Sequence, residues 1–286
     1  MRLDLDLSYP HCPFTAEPSY VGIEIAEGVA MSARQQMGLE DGSRLAVDLD
    51  LLVSVEAVRV NGVAYNLHWH IGGPLTDENG ESVLGVCEHD PDGVPDAALI
   101  SINPDVVGGR EEVILSTAVH EKGHGFFEAP KWILETQRVT APGVPGLRPH
   151  GPKRVHRTIT PDENHLAATP PRGSSEFFEE VRANAFMGTF LAPIHRVYAR
   201  LCHHCGRLGL SPSDLRCFDP AMLSRRFECI AAAAALSQDH LKIIERRLRA
   251  VDELLTRLAR DFGVTKRFIE VRLLRYGFLG QAKAVA

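Results

Sequence analysis

His120 and His124 stand four residues apart in STAVHEKGHGFF, residues 116–127, and Glu121 directly follows the first of them. Histidines at i and i+4 share one face of a helix, so both imidazoles can meet a single ion. Glu121 lies beside them, where it can reach a water on that ion without binding the ion itself. Zinc with three protein ligands and one open position brings such a water to a pKa of roughly 7. The glutamate then takes its proton and passes it to a leaving amine. HExxH is short enough to arise by chance, so its context decides.

A third ligand is needed, and EVRAN, Glu180 to Asn184, offers one. A carboxylate on a second helix completes a His-His-Glu set. Asn184 is one turn on and faces the same way. It is placed to accept a hydrogen bond from the ring N–H of a ligand histidine. Glu176 and Glu179 have a plainer explanation, since acidic residues favour a helix N-terminus.

Several elements must hold these residues. Residues 18–39 carry apolar side chains at helical spacing and end near Gly38, which reads as a helix. VEAVRV and AYNLHWHI alternate on either side of Asn61-Gly62, a hairpin signal. VLGVCEH and AALISIN read as two further strands, and Arg110 to Phe127 as the motif helix. The strand around Ala98 to Asn103 comes just before that helix and is expected to be a sheet edge that aligns a peptide substrate. Residues 129–172 hold eight prolines and little apolar periodicity, and read as an insertion loop or a spacer. SSEFFEEVRANAFMGTFLAP reads as the glutamate-bearing helix, stopped by Pro193. Helical signals continue to the end, with helix-turn-helix spacing around Gly263. The expected fold is α+β. Residues 1–193 form a catalytic domain with a small sheet and the HExxH helix, and residues 194–286 a helical C-terminal region.

HEKGH, then EVRANAFMGTFLAP, then FGVTKRFIEVRLLRYGFL follow one another in this chain. The series resembles the ImmA/IrrE family of zinc metallopeptidases. That family combines HExGH on one helix, E-x-x-A-N-x-F-A-x-x-L-x-x-P on a second, and a later FGVS…RL…LG segment. ALISINP ahead of the motif helix fits the same order. The resemblance spans roughly residues 18–193 and 252–280. It implies a zincin-like domain with zinc on His120, His124 and Glu180, and Glu121 as base. It also implies a regulatory protease that cleaves a specific protein, such as a DNA-binding repressor, in a stress response or a mobile-element switch. Lys122 departs from the family, which has an apolar residue there. The residue pattern alone carries only zinc-dependent hydrolysis.

The chain has 286 residues and a net charge of −6, which argues against general nucleic-acid binding. The charge is uneven. Residues 241–280 hold ten Lys/Arg and five Asp/Glu, a net of +5, so the remainder carries −6 − 5 = −11. Such a basic helical tail could contact DNA or an acidic partner, or could be a solvated helix face. The second reading of the whole protein is therefore a zinc-containing regulator that binds DNA or a repressor, with little protease activity. No apolar run reaches the ~20 residues of a membrane span. The opening MRLDLDLSYPHCPF lacks the build of a secretory signal, and six scattered cysteines do not make a disulfide scaffold. Together these point to a cytoplasmic protein. CHHC at Cys202 to Cys205, with Cys217 and Cys229, invites a second zinc, but idle thiols fit the spacing better. His68 and His70 alternate on a strand as ordinary surface histidines do. His165, His195 and Tyr198 are the candidates for steadying an oxyanion, and the sequence does not choose among them.

Overall fold

A computed structural model describes residues 4–19, 21–41, 44–77, 79–139, 151–158, 173–216 and 238–280. The chain divides into two compact units, Met1–Leu191 and Ala192–Ala286.

The first unit is mixed α and β, as the α+β expectation has it. Its elements run β1 (Asp4–Leu7), α1 (Ile23–Gln36), α2 (Leu49–Val53), β2 (Ala57–Val60), β3 (Val63–Ile71), β4 (Val83–His89), β5 (Ala97–Ile102), α3 (Glu111–Phe127), α4 (Ala129–Val139), β6 (Lys153–Thr158) and α5 (Ser175–Leu191). The six strands form one sheet in the order β1-β2-β3-β5-β4-β6. β1 and β2 are parallel, as are β3 and β5, and the other pairs are antiparallel. The β2–β3 hairpin closes through Asn61 and Gly62, with Val60 opposite Val63. Both turn residues have positive φ, 52° and 83°, as a two-residue hairpin turn demands.

Two expectations need correction. The strand before the motif helix is not an edge. β5 lies inside the sheet, flanked by β3 and β4, because β4 folds back antiparallel on its far side. The stretch 129–172 is also not structureless throughout. Residues 129–139 form α4, and residues 153–158 form β6, which pairs with β4 and is the edge strand on that side.

α3 packs on β4 and β5 and against α5, and α5 packs in turn on α1, which also meets β1. Almost every residue of α3 is buried, the polar HEKGH stretch included. Burying so many ionisable groups is costly unless they are paired or coordinate a metal. Two glycines let the helix settle. Gly125 faces the sheet, where an added Cβ would sit 3.4 Å from Leu67 and 3.6 Å from Ile100. Gly123 faces α5, where a Cβ would sit 3.1 Å from the Ala183 Cα. The carbonyls at the end of α3 accept from tyrosines. Tyr9 Oη donates to the Phe126 oxygen at 2.9 Å, and Tyr65 Oη to the Gly125 oxygen at 2.5 Å.

The second unit is helical in its described part: α6 (Ile194–Leu208), α7 (Pro212–Arg216), α8 (Gln238–Phe262) and α9 (Lys266–Arg275). α8 and α9 are joined by Gly263, Val264 and Thr265. Gly263 has φ +64°, and the Thr265 hydroxyl caps α9 by accepting from the Phe268 N–H at 3.1 Å. Among the described residues no helix is long and apolar enough to cross a membrane.

Candidate metal centre

His120 and His124 project from one face of α3, and Glu180 reaches them from the second turn of α5. The Nε2 atoms of the two histidines are 3.1 Å apart. The Glu180 carboxylate stands 3.5 Å from His120 Nε2 through Oε2 and 3.3 Å from His124 Nε2 through Oε1. The three residues could hold a metal ion, each offering one ligand atom, and these atoms all lie within 4.8 Å of one another. Both histidines are buried, and Glu180 keeps 20% of its side chain exposed.

The close approach of α3 and α5 makes this meeting possible. Ala183 is three residues beyond Glu180, so it lies on the same side of α5 and packs against Gly123. The glycine of HEKGH and the alanine of EVRAN are thus the spacer between ligand-bearing helices.

Electrostatics favour a cation at the centre. Burial opposes charging His124, but Glu128 and Glu180 outweigh it and hold its pKa well above the usual range. Burial likewise works against an ionised Glu180, yet His120 and His124 more than offset it and keep its carboxyl well below the carboxylate range. Two carboxylates around two imidazoles bind a proton or a metal in the same place.

Glu121 is fully buried. It packs on β4 at Gly85, where an added Cβ would come 2.8 Å from the Glu121 Cγ and 2.9 Å from its Oε1. Any larger residue there would displace the carboxylate. An isolated glycine inside the strand VLGVCEH is the sequence signal for such an approach.

The support for His124 comes from a residue that the HExxH pattern does not contain. The ring nitrogen of His124 that faces away from the centre, Nδ1, donates to Glu128 Oε2 at 3.1 Å. That leaves Nε2 as the ligand atom of His124, and Asn184 is half-buried one turn beyond Glu180. Arg182 holds the other Glu128 oxygen, donating from Nη2 at 2.7 Å and from Nε at 3.3 Å. Glu128 therefore ties the end of α3 to the helix that carries Glu180. Its signal in the sequence is a third step of four, 120, 124, 128.

Lys122 is also fully buried. Its Nζ donates to the Leu52 carbonyl at 3.0 Å and lies 5.7 Å from the Trp69 ring and 5.8 Å from the Phe126 ring. No carboxylate pairs with it among the described residues. Burial lowers its pKa from 10.5 to about 7.

The other candidates lie elsewhere. His68 and His70 are exposed on β3. His195 and Tyr198 are exposed on α6, in the second unit, and His165 falls outside the described residues. Of the CHHC stretch, Cys202 is exposed and Cys205 buried, while His204 Nε2 meets Asp261 Oδ2 at 2.7 Å. Cys217 and Cys229 lie outside the described residues. No family model matches the chain, and neither a curated protein nor a solved structure matches it.

Proposed function

We propose that the protein is a zinc-dependent endopeptidase with a zincin-like catalytic unit. One observation carries the reading: two imidazole nitrogens and a carboxylate converge with separations of 3.1, 3.3 and 3.5 Å, beside a buried glutamate. Ligands at roughly 2.0–2.1 Å from a tetrahedral zinc stand about 3.3–3.4 Å from one another. A set of two nitrogens and one oxygen suits zinc better than magnesium or calcium, which prefer all-oxygen cages.

Zinc in this site supplies a Lewis acid that polarises a carbonyl and acidifies water. The chain's own residues do the rest. His120, His124 and Glu180 hold the ion. Glu128, steadied by Arg182, fixes the His124 tautomer so that Nε2 points inward. Glu121, pressed against Gly85, takes the proton of the attacking water as oxygen adds to the peptide carbon. The same carboxyl then gives that proton to the departing nitrogen as the C–N bond breaks.

The resemblance to ImmA/IrrE peptidases supports a regulatory role, with a protein substrate such as a DNA-binding repressor. The basic helices α8 and α9, with their three-residue turn, support a helix-turn-helix-like recognition role. The same helices favour the second reading, a zinc-containing regulator that binds DNA or a repressor and cuts little.

One substitution separates the two. Glu121→Gln should retain one zinc per chain and lose on the order of 10²-fold or more of peptide hydrolysis. His120→Ala and His124→Ala should lose metal and hydrolysis together. Zinc content by atomic absorption and a peptide-cleavage assay read both. Cleavage at an unchanged rate by Glu121→Gln would sink the peptidase reading.

A further inference from the structure

A fully buried base poses a problem for any peptidase. Glu121 has no exposed surface, and the two histidines almost none. Something belonging to the chain itself covers the site. β6 packs against α3 as well as β4, and its Arg157 pairs with Gly85, the residue on which Glu121 rests. The strand thus runs as an extended segment along the sheet edge next to the catalytic helix.

β6 is weakly anchored there for a strand that covers so buried a neighbour. β4 is buried at every residue but Glu88. β6 reads Lys-Arg-Val-His-Arg-Thr, with one apolar side chain in six. Val155 is only half-buried and Arg154 is exposed. Arg154 reaches Glu88 at 3.7 Å across a partly exposed gap, and such pairs contribute little. Through its described side chains β6 gains little on β4, and what the strand pairing adds is main-chain hydrogen bonding, each bond a modest net contribution. The pairing is also irregular between Val83 and Gly85, beside the base.

We propose that β6 holds the place of a substrate strand along the β4 edge, so that a peptide reaches the base only by displacing it. An extended, basic peptide displaces β6, pairs antiparallel with β4 from His89 toward Val83, and so passes the Gly85–Glu121 contact. Main-chain bonds supply the affinity, as in other cases of strand addition, and Glu88 selects a basic side chain. This rests on the peptidase reading for the word substrate, but not for the binding.

The test uses the full-length, zinc-loaded Glu121→Gln protein, so that nothing is cut. The probe is a fluorescent peptide with the sequence of residues 151–158. A tethered self-strand competes at an effective concentration on the order of millimolar. Val155→Pro, which spoils β6 pairing, should therefore tighten probe binding at least tenfold by anisotropy. A probe with proline in place of its valine should not bind. In the protein with β6 intact, saturating probe should speed hydrogen exchange of β6 amides at least tenfold and leave β3 and β5 unchanged. Unaltered β6 protection at saturating probe would overturn the proposal, whatever Val155→Pro does to folding. If the probe displaces β6 while wild-type protein cleaves no peptide, the edge stands and the hydrolytic reading alone falls.

Discussion

Glu128 has no place in the HExxH pattern, yet it decides how His124 presents its ring. It is buried between His124 and Arg182, so each of its oxygens has a charged or polar partner. Glu128→Gln keeps the size but weakens the bond that orients the imidazole. Zinc affinity, measured by chelator competition, should fall about 10–100-fold with the fold intact. An unchanged affinity would remove Glu128 from the site. Lys122 calls for the opposite change. A buried ammonium without a carboxylate destabilises the native state, and an apolar residue of similar length relieves that cost. Lys122→Met should raise stability by roughly 1–4 kcal/mol in urea unfolding, even with the Leu52 hydrogen bond lost. Lower stability would mean that the carbonyl bond and the ring contacts outweigh desolvation. The histidines and Glu180 were legible because a helix converts sequence spacing into direction. Glu128 was hidden because it lies one residue past the last turn of α3, where a helix-face argument stops.

The element that governs the site is the contact between α3 and α5. At Gly123 an added methyl would press on the Ala183 backbone, which cannot swing aside as a long side chain would. Gly123→Ala should cost about 1–3 kcal/mol and lower zinc affinity at least tenfold, because the helices must part where Glu180 meets the histidines. Gly206 on α6 is the control, since open space surrounds it. Alanine there should add about 0.5–1 kcal/mol through helix propensity. If both substitutions stabilise, the close approach is not what sets the ligand geometry. Sheet order was the least legible feature. β5 precedes the motif helix, but adjacency in sequence does not make an edge, and β4 arrives from the other side by an antiparallel return. α4 was obscured by counting prolines. Its Pro130 sits in the first turn, where the missing N–H has no helical partner to lose.

Over the whole molecule, the charge contrast between residues 241–280 and the rest narrows to a few side chains. All five acids of that stretch are paired: Glu245 with Arg249, Glu253 with Arg257, Asp252 with Lys266, Asp261 with Arg200 and Glu270 with Arg267. Arg246, Arg247 and Arg260 are exposed and join no ion pair among the described residues. Arg246 and Arg260 are fourteen residues apart, about four turns, and so share a side of α8. Changing these three to glutamate should leave zinc content and short-peptide cleavage as they were. Binding to a protein or DNA partner should weaken and lose most of its salt dependence. A parallel fall in short-peptide cleavage would count against a separate recognition role for α8. The tyrosines at the end of α3 have a consequence in time. Tyr9 lies 117 residues from Phe126 and Tyr65 lies 60 from Gly125, so the last turn is satisfied only after long loops close. Contacts of that range form slowly. A chain still leaving the ribosome, with α3 made and α5 not, has two histidines and no third ligand. On the zinc reading, metal capture would mark the end of folding rather than its nucleus.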